Sequence, residues 1–203
     1  MKTTVGTQQY YIMAEKYMHD PQWLKRVKSL FNLLDYNKNG FLEPDDWQLW
    51  VSNIEKACKP DSPQLIDRLR ELTGVYFEAI GIKEGRHLTC DEFVKGFSEF
   101  AVQEYAKKAR GETPILYPMN DAVYDVADTN KDGFVTLDEY RRIFQACNLP
   151  ESAADEAFKV ADANNDGKLD REELNNYEFK FWFETGPVGK EAAGFFGQAF
   201  EAN

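Results

Sequence analysis

Three twelve-residue stretches of this 203-residue chain gather oxygen-bearing side chains at the spacing a hard divalent cation requires. They run from Asp35 to Asp46, from Asp128 to Glu139 and from Asp162 to Glu173. Ca²⁺ takes 6–8 oxygen ligands in a flexible shell, drawn from loop positions 1, 3, 5, 7, 9 and 12. Side chains at positions 1, 3 and 5 are Asp35, Asn37 and Asn39; Asp128, Asn130 and Asp132; and Asp162, Asn164 and Asp166. Position 7 gives a backbone carbonyl, whatever its side chain, and falls on Phe41, Phe134 and Lys168. Position 9 falls on Glu43, Thr136 and Asp170, and position 12 on Asp46, Glu139 and Glu173. The sharp turn at position 6 needs positive φ, and Gly40, Gly133 and Gly167 stand there. Position 8 is apolar each time: Leu42, Val135 and Leu169.

Such loops work only when an entering and an exiting helix hold them, the helix–loop–helix unit called an EF-hand. The entering segments share an aromatic residue four positions before the loop: Phe31, Tyr124 and Phe158. The repeat predicts a fourth copy, because a lone loop leaves its position-8 edge unpaired. Phe77 supplies that aromatic, and Gly81 to Glu92 supplies the loop, with Leu88 at the bridge position. Gly81, Lys83 and Gly85 offer no side-chain oxygen at positions 1, 3 and 5, so this hand is expected to be structural, with His87 a solvated loop residue. Asp20-Pro21, Ser62-Pro63 and Thr113-Pro114 read as helix openings. Trp23, Val27, Leu30, Phe31 and Leu34 form one apolar stripe, and Ile66, Leu69, Leu72, Val75 and Tyr76 another. The expected fold is all-α: a two-lobed compact globule of four EF-hands with short β-bridges between paired loops. Residues 1–110 form the N-terminal lobe and 111–203 the C-terminal lobe with a tail after Gly186-Pro187.

The third and fourth loops close with glutamate and read as strong Ca²⁺ sites. The first closes with the shorter Asp46, which favours fewer ligands and a mixed Ca²⁺/Mg²⁺ preference. Net charge is −11, so nucleic acid is excluded as a partner. Three bound Ca²⁺ would add six positive charges and bring it to about −5. The three cysteines, Cys58, Cys90 and Cys147, have neither CxxC spacing nor an even count, which points to a reduced, cytoplasmic setting. No apolar run is long enough to span a membrane, and no membrane insertion is expected. With no catalytic set in view, the chain is expected to act as a monomeric calcium binder. Only four methionines argue against a Met-lined sensor groove; 15 Phe, 10 Tyr and 4 Trp supply an aromatic interior instead. Trp23, Trp47, Trp50 and Trp182 are expected to point inward between the lobes.

Live first, third and fourth loops, a dead second loop and a tail containing Gly194-Phe-Phe-Gly197 resemble one group over most of the chain. It comprises the Ca²⁺-regulated photoproteins, the coelenterazine-binding proteins and the sarcoplasmic calcium-binding proteins. Asp20-Pro-Gln-Trp-Leu-Lys-Arg26 is similar to the hydromedusan photoproteins, and Lys180-Phe-Trp-Phe-Glu184 to the ctenophore ones. The resemblance implies a small apolar aromatic ligand, coelenterazine, in the interior. Trp23, Trp47 and Trp182 are then expected in its wall, with Arg26 as the charged group. It also implies that Val27, Leu69, Glu178 and Phe196 stand where the hydromedusan photoproteins use three histidines and a tyrosine around the peroxide. The expectation is therefore a calcium-binding, non-luminous relative. The competing reading is a coelenterazine carrier, or a photoprotein that emits by oxidative decarboxylation when Ca²⁺ binds.

Overall fold

In the computed structural model, residues 12–186 are described. A short helical stretch over 12–18 leads to Asp20, whose carboxylate accepts from the Gln22 and Trp23 N–H groups and opens α1 (Pro21–Leu34). α2 (Pro44–Cys58) and α3 (Pro63–Ile80) also begin on proline, where the missing N–H costs no helical bond. α4 (Cys90–Ala109) starts from Thr89, whose hydroxyl accepts from the Glu92 N–H while Glu92 reaches back to the Thr89 N–H.

The next opening differs from the sequence expectation. α5 runs Leu116–Ala127, two residues beyond Pro114. The Leu116 N–H is met by Glu104 Oε2 at 2.9 Å, so a carboxylate from α4 caps α5 across the turn. Glu104 is wholly buried, and only the chain's return at Gly111 (φ 72°) brings α5 to it. The rest follows the repeat: β1 (Val135–Thr136), α6 (Leu137–Ala146), α7 (Glu151–Ala161), β2 (Lys168–Leu169) and α8 (Arg171–Phe183).

The loops pair as expected. Leu42 and Leu88 exchange backbone hydrogen bonds of 2.8 and 2.9 Å, which ties the loop 81–92 to the first. β1 and β2 are antiparallel, with Val135 opposite Leu169 and Thr136 opposite Lys168. Tyr124, the repeated aromatic of the third hand, donates its hydroxyl to Gly133 O and Leu169 O, at 2.6 and 2.9 Å. It thereby stitches both loops of that pair from below.

The α1 stripe is buried as read. On α3 the buried positions are Ile66, Leu69, Thr73, Tyr76, Phe77 and Ile80, a spacing of three and four. Val75 lies off that stripe and is half exposed, and Leu72 sits at its edge. The Phe97 ring meets Trp23, Phe93, Phe100, Trp182 and Phe183 at centroid distances of 5.6–6.2 Å. Aromatic pairs of this kind add roughly 0.5–1.5 kcal/mol each beyond area burial. These rings come from α1, α4 and α8, so one core runs through both halves of the chain. A second cluster, including Val51, Ile54, Leu69 and Val126, joins α2, α3 and α5. Among the described residues no helix is long and apolar enough to cross a membrane. The tail beyond Gly186, with Phe195, Phe196 and Phe200, lies outside the described residues.

Candidate metal centres and an apolar cavity

The loops 35–46, 128–139 and 162–173 share one backbone. Their position-6 glycines have φ of 83, 84 and 81°, and Lys38, Lys131 and Asn165 at position 4 have φ of 57, 58 and 59°. Left-handed residues at position 4 were not read from the sequence. The signal was present, because an Asx side chain at position 3 that accepts from the N–H at position 5 stabilises such a turn. Asn37 and Asn164 Oδ1 do so at 2.9 and 2.8 Å, and Asn130 at 3.0 Å.

Position 1 sets the loop. Asp35, Asp128 and Asp162 each accept the position-5 N–H on one oxygen, at 3.1–3.2 Å, and the position-6 glycine N–H on the other, at 2.9–3.0 Å. All three carboxylates are buried. In the first loop the amides of Asn37 and Asn39 both reach Glu43 Oε1, at 3.4 and 3.0 Å, so positions 3, 5 and 9 converge on one point. In the third, Asn130 Nδ2 reaches Asp132 Oδ2 at 3.0 Å. Position 12 closes each ring. Glu139 Oε1 accepts from Thr129 and Oε2 from Thr136, through both N–H and hydroxyl. Glu173 spans Asn164 N and Asp170 N, and Asp46 spans Tyr36 N and Glu43 N.

Burial works against the charge on Glu139, but four hydrogen bonds from the two threonines outweigh it and lower its pKa. On Asp46 burial wins: the Glu43, Tyr36 and Asn37 N–H groups oppose it, the nearby Asp35 charge adds to it, and its pKa is raised. Among the described residues no three Asp, Glu, His or Cys side chains crowd into one cluster. Each loop mixes carboxylates with Asn amide oxygens or a threonine hydroxyl, and its position-12 carboxylate leans on backbone N–H groups. Every such oxygen keeps lone pairs, and an all-oxygen set suits a hard cation.

The second loop is different in kind. Its glycines have φ of 115° (Gly81) and 71° (Gly85), and Glu92 accepts from the Thr89 N–H and hydroxyl, both at 2.9 Å. Its closing carboxylate serves only as a helix cap. His87 is largely exposed, yet its Nδ1 lies 2.5 Å from Glu43 Oε2 and so touches position 9 of the first loop.

A separate apolar cavity of about 120 Å³ lies between the helices, with Leu34, Trp50, Tyr76, Tyr140, Glu178 and Trp182 in its wall. Glu178 is half-buried and lines this space. Burial pushes its carboxyl up to about 7, and a 2.6 Å hydrogen bond from Trp182 Nε1 only partly opposes that.

The EF-hand family model matches residues 27–51, 125–144 and 154–179, which contain the first, third and fourth loops. Over those three stretches the chain matches EF-hands. Its fold is that of the Ca²⁺-regulated photoproteins. Aequorin-2 of the jellyfish Aequorea victoria is 27% identical over 190 residues, covering 93% of this chain and 97% of aequorin-2. The luciferin-binding protein of Renilla reniformis is 26% identical over 153 residues, 74% of this chain and 80% of its own. The Ca²⁺-regulated photoprotein mitrocomin, from Mitrocoma cellularia, superposes with a TM-score of 0.79 at 24% identity, covering 89% of this chain and 91% of its own. The Mg²⁺-loaded apo form of berovin, from the ctenophore Beroe abyssicola, gives 0.73 at 28% identity, over 78% and 87%; all three of its Ca²⁺-binding loops bind Mg²⁺.

Within this EF-hand globule the residues expected around an organic ligand part company. Trp182 lines the cavity; Trp23, Arg26 and Trp47 do not. Trp23 is fully buried, and its Nε1 donates to Trp182 O at 2.9 Å. Arg26 donates to Glu184 O at 2.5 Å, with its guanidinium 5.7 Å from the Phe181 ring centroid. Both side chains strap the C-terminal end of α8 to α1. Trp47 packs over Gly74 of α3. Trp50, expected to point inward, and Glu178, which the resemblance set at a histidine position, also line the cavity; Tyr140 was not foreseen.

Proposed function

We propose that this protein binds three Ca²⁺ per chain, at loops 35–46, 128–139 and 162–173, and that it is a non-luminous relative of the photoproteins. One observation carries the calcium reading: three separate loops repeat the same φ values and the same hydrogen bonds at positions 1, 3, 5 and 12, whereas the loop 81–92 keeps only the last. The ligands would be the side-chain oxygens of positions 1, 3, 5, 9 and 12 with the carbonyls of Phe41, Phe134 and Lys168. The first site, closed by Asp46, takes Mg²⁺ as readily as Ca²⁺.

The non-luminous reading is supported by the cavity. Val27 and Leu69, both fully buried, and Glu178 stand where the resemblance puts histidines, and none offers an imidazole to a peroxide. The volume of about 120 Å³ is close to the roughly 150 Å³ that holds a benzene ring, far below the need of a ligand with several rings such as coelenterazine. Titration calorimetry with Ca²⁺ should count three ions, and four, or metal on 81–92, would overturn the site assignment. Charging the apoprotein with coelenterazine under oxygen and then injecting Ca²⁺ should give no flash. A strong flash would establish a photoprotein.

A further inference from the structure

The cavity beside α8 holds two polar groups that its own walls leave unsatisfied. The Tyr140 hydroxyl is buried without a hydrogen-bond partner among the described residues. Among the described residues the Glu178 carboxyl has one donor, the Trp182 indole, and no cationic side chain lines the cavity with it. A buried carboxylate with no countercharge is costly, and the cost is recovered when a cation or a second donor arrives. The remaining wall is mostly aliphatic and aromatic, with Asn120 and Cys147 also in it, and the volume of about 120 Å³ admits one ring.

We propose that this cavity binds a small single-ring aromatic amine, its ring against Trp50 and Trp182 and its ammonium on the Glu178 carboxylate, with the Tyr140 hydroxyl as a further acceptor. A lone carboxylate in an apolar pocket suits a compact organic cation and not a metal ion, which needs several oxygens. The assignment goes beyond the calcium reading and stands whether or not metal binds.

Glu178 also sets how binding varies with pH. The titratable groups near it are Tyr76 on α3, Tyr140 on α6, Cys147 just after α6, and Tyr177 on its own helix. Burial raises the thiol to about 11 and holds the three phenols well above 10, so all stay neutral from pH 5 to 8. Glu178 alone among them changes charge in that range, around 7.

The test is titration calorimetry of the whole chain, in EDTA and again in excess Ca²⁺, with 2-phenylethylamine and with 2-phenylethanol, its uncharged counterpart of equal reach. At pH 8 the amine should bind at least tenfold more tightly than the alcohol. At pH 5, with Glu178 protonated, that preference should shrink severalfold while the affinity for the alcohol holds. Glu178→Gln should abolish the preference and leave the alcohol unaffected, and Tyr140→Phe should weaken the amine. The pH comparison on the unaltered protein keeps the proposal testable if a variant fails to fold. Equal affinities for amine and alcohol, no binding of either, or a preference that survives in Glu178→Gln would each overturn it. Loss of Ca²⁺ binding without loss of amine binding would count against the calcium reading alone.

Discussion

Glu178→Gln offers a direct measure of what a buried carboxyl costs this fold. In the unfolded chain a glutamate titrates near its ordinary 4.5; in the folded one burial moves Glu178 to about 7. The folded state therefore holds the proton more tightly. Stability from that proton is fully present below pH 4.5 and is lost as pH rises through about 7. At roughly 1.4 kcal/mol per pH unit, the span from 4.5 to about 7 is worth about 3 kcal/mol. Between pH 5 and pH 8 the wild type should lose about 2.5 kcal/mol on this account. Glutamine cannot ionise and keeps an oxygen for the Trp182 indole, so the variant should gain on the wild type by that amount. In a chain of this size the relative melting temperature should move by roughly 5–10 °C. Thermal melts of both proteins in EDTA at pH 5, 6, 7 and 8 would measure it, because loop carboxylates titrate alike in the two and cancel in the difference. A wild-type minus variant difference that is flat from pH 5 to 8 would refute the reasoning and mean that water in the cavity keeps Glu178 near its ordinary value.

Glu139→Gln removes the charged clasp that spans Thr129 and Thr136, and calorimetry should count two Ca²⁺ instead of three. Glu92→Gln, which alters only a helix cap, should leave that count unchanged. Asp46→Glu lengthens the closing arm of the first loop by one methylene and should shift that site toward Ca²⁺ over Mg²⁺ in competition titrations; an unchanged ratio would remove the account of its mixed preference. Gly96→Ala would ordinarily gain up to about 1 kcal/mol of helix propensity. Here the new Cβ would lie 2.2 Å from Ile80 O, so α3 and α4 must part, and denaturant melts should show a loss of about 1–3 kcal/mol.

The loops were legible because their chemistry is local. Twelve consecutive residues carry every proposed ligand, and the glycine at position 6 announces the turn. The helix starts at Pro21 and Pro63 were readable for the same reason. The start of α5 was not, since its cap is Glu104, twelve residues upstream on another helix. Val75 was misplaced because an apolar residue one step off a stripe looks the same in one dimension. The cavity was the hardest feature to foresee. Its wall draws on several helices, and the aromatic count could not say which tryptophans face a void and which tie helices together. Trp23 and Arg26, expected in that wall, each donate instead to a carbonyl at the end of α8.

The two loop pairs are joined in unequal ways, and this bears on how occupancy should spread between them. Loops three and four share a two-residue ladder and the doubly anchored Tyr124 hydroxyl, so a cation ordering one loop also orders the other. Their titration should be cooperative, steep and switch-like. The first loop is bridged through Leu42 to Leu88 of a loop with no side-chain oxygen at positions 1, 3 and 5, one expected to stay empty as cation is added. Its saturation should follow a simple hyperbola, graded over a wide range. One chain would then carry a threshold response and a proportional one side by side, and the dead hand is what keeps the second proportional.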